Sequence, residues 1–334
     1  MPTIREVADQ ARVSVATVSR VINKSGYVSI DLQERVENAM RSLNYHPSAL
    51  ARSLRRQETQ TIGVLVPQLN HPFFSTLAYA IEKTLFDAEY RAFMCSAEED
   101  PLRECAYIDM LLRQRVDGVI LVPTGQSASN LGRLIEQGVP VVLVDRDVPG
   151  FNVSRVLCNN ERGAYEATRH LLALGHRHIG MIGGPEYSPP MRARVNGVRA
   201  ALAEAGIHDT PQVLVPHTLY HVETGYNAAM QLLKAEPLPT AIFALTDVMA
   251  MGVLRAANEL GLRVPEQLSV MGFDDTPMAA YSIPELTTVR QPIFEMGQLA
   301  TRVLLERIGH AELPVAQYML DTCLIERAST APPA

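Results

Sequence analysis

The sequence predicts a small all-α headpiece of helix-turn-helix type, followed by an α/β body of two doubly wound parallel-sheet subdomains. Three observations lead there. Residues 3 to 43 carry only short amphipathic helical patterns, and residues 45 to 60 (YHPSALARSLRRQETQ) are polar, basic and too short for a domain. Beyond Thr61, near-continuous apolar runs alternate with helix-length stretches, the pattern of parallel strands covered on both faces. The roughly 270 residues that follow the headpiece exceed what one open sheet usually needs, so two subdomains are expected.

The headpiece opens with IREVADQA, a helix ending at Ala11. After the Arg12-Val13-Ser14 turn comes VATVSRVIN, with Ser14 placed as its N-cap. On a helical wheel Val18, Val21 and Ile22 share one face, while Ala16 and Arg20 lie opposite. That is helix-turn-helix spacing, and it puts Val15 and Ala16 near the helix start, where side chains reach base edges, with Arg20 one turn on. Arginine bonds guanine O6 and N7 bidentately, whereas Val and Ala touch only thymine methyls. An ordinary surface helix with one solvated arginine fits the same stretch. A third helix is expected over LQERVENAMRSL.

In the linker, Ser48 is placed to cap a two-turn helix with Leu50 and Leu54 on one side and arginines around the rest. A helix this short is marginal in water. Two of them from a dimer, laid in a minor groove with leucines as wedges, would be stabilised on DNA. The competing reading is a solvated basic linker.

The body's strands are expected at TIGVLVP, RAFMCSA, GVILVP, VPVVLVD, HIGMIGG, TAIFALT and LSVMGFD, with helices such as DVMAMGVLRAANELG between them. The terminal STAPPA is expected to fray.

A formal net charge of −6 hides an asymmetry. Residues 1 to 60 hold nine Arg/Lys against six Asp/Glu, or +3, which leaves −9 for the rest. A basic head on an acidic body approaches phosphate by one end only. The four cysteines lie far apart with no CxxC pair, MPTIREVADQ shows no basic region followed by an apolar one, and no apolar run is long enough to cross a membrane. A reduced, cytoplasmic chain is expected.

An open parallel sheet binds its ligand at the carboxyl ends of its strands. The residues there read Asn70-His71-Pro72-Phe73-Phe74, Asp145-Arg146, Tyr187 to Arg194, Thr246-Asp247 and Asp274-Asp275, with Gln291 after LTTVR. Carboxylate and amide oxygens accept from vicinal hydroxyls, arginine donates back, and an aromatic face covers a sugar's C–H surface. Several of these residues have plainer readings: Asp247 as a helix cap, Asp275 as a turn residue, Phe73 and Phe74 as core. His176 and His178 read as a solvated loop entering a strand, with no third ligand beside them for a metal.

TIREVADQARVSVATVSRVIN, NYHPSALARSL and a body carrying PFF, VDGVILV, GFDD and RQP together resemble the LacI/GalR family of bacterial transcription repressors from end to end, nearest its purine- and ribose-repressor branch. The resemblance implies a headpiece over 1–46, a hinge helix and linker over 47–60, and a periplasmic-binding-protein-like ligand domain over 61–330. Its N-subdomain would span about 61–159 and 291–320, its C-subdomain about 160–290 and 321–330. Val15, Ala16 and Arg20 match base-reading positions, Leu54 the minor-groove wedge and Arg55 a basic neighbour. PFF, VDR, MRARVNG, TDVMAMG, GFDD and RQP are also similar to sugar-contact motifs of pentose-binding proteins. They imply a cleft lined by Phe73, Phe74, Asp145, Arg146, Arg194, Thr246, Asp274 and Gln291, with Arg192 beside Arg194 and Tyr220 at an aromatic stacking position. His71 and Thr246 stand where pentose binders carry Asn, so ribose is not singled out.

The implied partners are a near-palindromic double-stranded operator, a monosaccharide or derivative as effector, and a second copy of the chain in a homodimer. No cofactor, catalytic residue, metal or membrane is called for. An activator or a purine-corepressed regulator of the same family is the alternative. A sugar- or nucleotide-metabolising enzyme fits less well, because GMIGGP lacks GxGxxG spacing and no GxxxxGK[ST] or nucleophile elbow occurs. A secreted binding protein would have no use for residues 1 to 60.

Overall fold

The computed structural model describes residues 2–23, 25–45, 58–125, 127–184, 187–208, 211–214, 221–234, 236–310 and 312–334. Leu54, Arg55 and Tyr220 lie outside the described residues. The chain divides into two compact units, 1–60 and 61–334.

In the first unit, α1 (Ile4–Ala11) starts with a reciprocal cap: the Glu6 amide donates to Thr3 Oγ1 at 3.3 Å, and the Thr3 amide donates to Glu6 Oε2 at 2.6 Å. It ends where Arg12 turns left-handed (φ 51°), and the Arg35 guanidinium donates to the Ala11 carbonyl at 2.7 Å. The chain then enters α2 (Val15–Asn23), whose Thr17 amide donates to Ser14 Oγ at 3.1 Å, the cap expected from sequence. With α3 (Ile30–Ser42), these helices enclose a core of Val7, Ala8, Ala11, Val18, Val36 and Ala39; Val21 and Ile22 are half-buried against it.

The second unit holds two six-stranded sheets. The first contains β1 (Thr61–Val66), β2 (Arg91–Ser96), β3 (Gly118–Leu121), β4 (Val141–Val144), β5 (Ser154–Cys158) and β11 (Gln317–Leu320) in the order β11-β5-β4-β3-β1-β2, all parallel. Alternate residues feed two cores. Ile62, Val64 and Ile120 meet α4 (Pro72–Asp87) and α12 (Ile293–Gly309), while Leu65, Val119 and Leu121 meet α5 (Pro101–Gln114) and α6 (Ala128–Glu136). Burial on both faces is why these strands read as unbroken apolar runs.

The second sheet contains β6 (Ile179–Gly183), β7 (Gln212–Leu214), β8 (Ala241–Ala244), β9 (Ser269–Asp274), β10 (Thr287–Arg290) and β12 (Cys323–Ile325), ordered β12-β10-β9-β8-β6-β7. It is parallel except for β12. Its helices are α7 (Asn160–Ala173), α8 (Pro189–Glu204), α9 (Val222–Leu232), α10 (Asp247–Glu259) and the short α11 (Pro277–Tyr281). The chain passes between the sheets three times: after β5, after β10, and between β11 and β12.

Gly197 sets how closely α8 lies on α7, because a Cβ there would fall 2.1 Å from the Glu161 carbonyl oxygen. This close approach brings Arg194, one turn earlier, against Asn160.

Two sequence expectations are corrected. The tail does not fray: Ser329 is fully buried, its Oγ accepts from the Thr287 amide at 2.8 Å, and its carbonyl accepts from the Val270 amide at 2.8 Å. His176 is not in a solvated loop. Its ring is buried within 2.9 Å of Thr240 Oγ1 and of the Ala331 carbonyl, so it fastens the same tail, while His178 is exposed. Among the described residues, no cluster of His, Cys, Asp or Glu could hold a metal, and no helix is long and apolar enough to cross a membrane.

Candidate functional site

On α2, packing of Val18 turns the opposite face outward. Val15 is 40% exposed, and Ala16 and Arg20 are exposed with it. All three proposed base-reading side chains are therefore exposed, Val15 and Ala16 at the helix start and Arg20 one turn on.

In the body, the carboxyl ends of both sheets converge on one cavity. The first sheet supplies His71, Phe73 and Phe74 after β1 and Asp145 and Arg146 after β4; the second supplies Ser188, Pro190, Met191 and Arg194 from the start of α8, Thr246 after β8 and Asp274 at the end of β9. The free volume is about 30 Å³. That is far below the roughly 300 Å³ at the lower end of small-molecule sites, so a ligand requires the walls to move apart.

Each wall is built by local structure. His71 caps α4 by accepting the Phe73 amide on Nδ1 at 3.3 Å, and the two phenylalanines of the first turn meet edge to face at 5.1 Å. Burial, helped by Arg194, His221 and Arg146, lowers the His71 pKa to about 4, so its ring is neutral at neutral pH. Asp145 turns left-handed (φ 65°), and burial raises its carboxyl while Arg146 and Arg194 oppose the rise. Its Oδ1 has no hydrogen-bond partner among the described residues. Arg146 donates to both Glu99 oxygens, at 2.7 and 2.8 Å, and to the Pro123 carbonyl at 3.2 Å.

Opposite, all three nitrogens of Arg194 are engaged. Nε donates to Asn160 Oδ1 at 2.8 Å, one terminal nitrogen donates to the Leu245 carbonyl at 2.6 Å, and the other lies 3.1 Å from Asp274 Oδ1. Its guanidinium also stacks 3.9 Å from the Phe273 ring centre. Asp274 accepts from Gln291 Nε2 at 2.8 Å, leaving Gln291 Oε1 buried without a partner among the described residues. Burial raises the Asp274 carboxyl, and Arg194 and Gln291 pull it back. Thr246 caps α10 through the Met249 amide at 3.2 Å.

The description "Bacterial regulatory proteins, lacI family" fits residues 3–48, and "Periplasmic binding protein-like domain" fits residues 168–330. The ribose operon repressor of Halalkalibacterium halodurans is 37% identical over 99% of this chain and 97% of its own length. The chain belongs to the lacI family of bacterial regulatory proteins.

The PurR repressor of Haemophilus influenzae is also 37% identical, over 95% of this chain and 94% of its own. The solved lac repressor dimer, bound to operator and the anti-inducer ONPF, is 30% identical with a TM-score of 0.87, covering 99% of each chain. This LacI-family chain is thus a DNA-binding transcriptional repressor and not an enzyme, and its ribose- and purine-repressor flavour agrees with its relatives.

Of the ligand positions expected from sequence, Phe73, Phe74, Asp145, Arg146, Arg194, Thr246 and Asp274 come together in the cavity wall, and Gln291 stands behind Asp274. Arg192 does not join them. It is exposed, because two residues along a helix rotate a side chain by about 200° from Arg194. The plainer readings also resolve: Thr246, not Asp247, caps α10, while Asp247 is fully buried and accepts from the Thr276 amide at 2.6 Å and Thr288 Oγ1 at 2.5 Å. Burial, reinforced by Asp274, raises the Asp247 carboxyl. Asp275 pairs with Arg290 and Arg327, each at 2.6 Å.

Sequence reasoning missed Glu99 and Asn160. Glu99 follows β2, whose end was open to the strand-end rule. Asn160 follows β5, a strand with no apolar run to announce it.

Proposed function

We propose that this repressor binds a near-palindromic operator as a cytoplasmic homodimer and is released from it when a monosaccharide or close derivative occupies the cleft. The observation that carries the reading is the buried set Asp145, Arg146, Arg194, Asp274 and Gln291, in which two oxygen acceptors lack partners. Buried acceptors without donors are costly, and vicinal hydroxyls supply donors. The neutral His71 and the phenylalanines Phe73 and Phe74 suit a ring that is polar at its rim and apolar on its faces.

Val15, Ala16 and Arg20 read base edges on this proposal, Leu54 wedges the central minor groove, and Arg55 is a basic groove contact beside it. Opening and closing of the cleft is the two-state element whose balance ligand and operator both bias. The ribose operon repressor and the lac repressor dimer, each similar over nearly the whole chain, support both halves of the reading.

Thermal-shift screening against pentoses, hexoses, sugar acids and purines tests it, since a ligand of the folded state alone raises the midpoint. A neutral sugar that raises the midpoint and releases operator DNA is expected. A purine that does so while tightening operator binding would replace induction with corepression, and a full panel without a hit would remove the sugar site.

A further inference from the structure

Glu99 follows β2, outside every motif that the sequence singles out, yet its carboxylate is as buried as the guanidinium it grips. Its two oxygens accept from both terminal nitrogens of Arg146, at 2.8 and 2.7 Å, in a fork that occupies that edge of the cation, while Arg146 Nε lies 3.7 Å from Asp145 Oδ2. Arg194 is equally committed, to Asn160, Leu245 and Asp274. The charge count in and directly behind the wall follows, among the described residues. Two guanidinium groups face Glu99, Asp274 and Asp145, and His71 is neutral. With Asp274 ionised beside Arg194, the sum is −1 with Asp145 ionised and zero with it protonated, so with that pair intact no state of Asp145 leaves a net positive cleft. The side-chain oxygens left without partners, on Asp145 and Gln291, are acceptors that repel an anion's oxygens.

We infer that Glu99 is a specificity-determining residue: by holding Arg146 in a closed ion pair it restricts the effector to neutral, hydroxyl-rich sugars and excludes phosphorylated and carboxylated ones. This rests on the cleft being the effector site. An arginine alone would favour sugar phosphates and sugar acids, and the same arginine locked to a carboxylate offers them no charge.

Isothermal titration of the full chain with D-ribose, D-glucose, D-ribose 5-phosphate and D-glucuronate tests the assignment in wild type, Glu99→Gln, and Glu99→Gln combined with Arg146→Met. The double variant corrects for anions held by the basic headpiece. Wild type should bind the two anions no more tightly than the double variant does, and Glu99→Gln should gain at least tenfold for one of them. Wild-type binding of either anion well above the double variant would overturn the inference. So would a cooperatively folded Glu99→Gln with no gain. If Glu99→Gln does not fold, the wild-type comparison with the neutral sugars and with Arg146→Met alone still decides. Failure of the sugar reading shows separately, as neutral sugars that bind no variant.

Discussion

His71 gives the most quantitative handle on the cleft. Its ring is 6% exposed, accepts the Phe73 amide on Nδ1, and lies in the field of Arg194, His221 and Arg146, so its pKa falls from 6.5 to about 4. The unfolded chain then binds more protons than the folded one between these values. The stability His71 contributes is therefore complete above pH 6.5 and is lost as pH falls toward 4. The full difference, 2.5 pH units, corresponds to about 3 kcal/mol, and the part lost between pH 7.5 and pH 5.0 to about 2 kcal/mol. Asp145 and Asp274, whose carboxyls burial raises, titrate in the opposite sense: their contribution is present at low pH and lost as pH rises. The wild-type profile thus mixes opposing contributions, and the comparison with His71→Asn isolates the histidine. Asn can still cap α4 but cannot titrate. Urea unfolding followed by circular dichroism at pH 7.5 and 5.0 should show the variant gaining about 2 kcal/mol on wild type at the lower pH, roughly 0.7 M in midpoint for a slope near 3 kcal/mol/M. A difference that stays constant with pH would refute a neutral, buried His71.

Other changes separate the fold's parts. Gly197→Ala should cost at least about 1 to 3 kcal/mol in unfolding assays, because its Cβ would meet the Glu161 carbonyl and push α8 off α7; wild-type stability would mean the helices slide freely. Arg194→Ala strands Asp274 and should destabilise the body by about 3 to 5 kcal/mol while abolishing effector release in an operator mobility-shift assay; a normal response places the effector elsewhere. Arg20→Ala should cost about 1 to 3 kcal/mol at one base position when binding to operator variants is compared, whereas a uniform loss contradicts base reading. Removing residues 329–334 should lower the body's melting midpoint by several degrees, since Ser329 and Ala331 hold β9, β10 and His176; an unchanged midpoint would mean the tail is passive.

The cleft was legible in proportion to how local its signals are. Phe73, Phe74, Asp145, Arg146, Arg194, Thr246 and Asp274 each sit directly after an apolar strand or on the helix that follows one, so the strand-end rule reached them. Asn160 follows β5, which alternates buried and half-buried residues, and no run marks it. Glu99, in the run EED, carries no local signal, because nothing nearby in sequence shows that Arg146, 47 residues on, will fold over it. Arg192 failed for the opposite reason: it shares a motif with Arg194 but not a helix face.

The amino-acid sequence by itself determined the class of the molecule. Hydrophobic period distinguishes the three short helices from the doubly buried strands, and the +3 and −9 halves mark which end meets phosphate. These are properties of neighbours along the chain. Only the tertiary structure decided which charges cancel, which carboxyls burial raises, that His71 is neutral, and that Ser329 to Ala331 are pinned. Each depends on groups far apart in sequence being brought together away from water, where lost hydration, offset or reinforced by charged neighbours, shifts a side chain's ionisation.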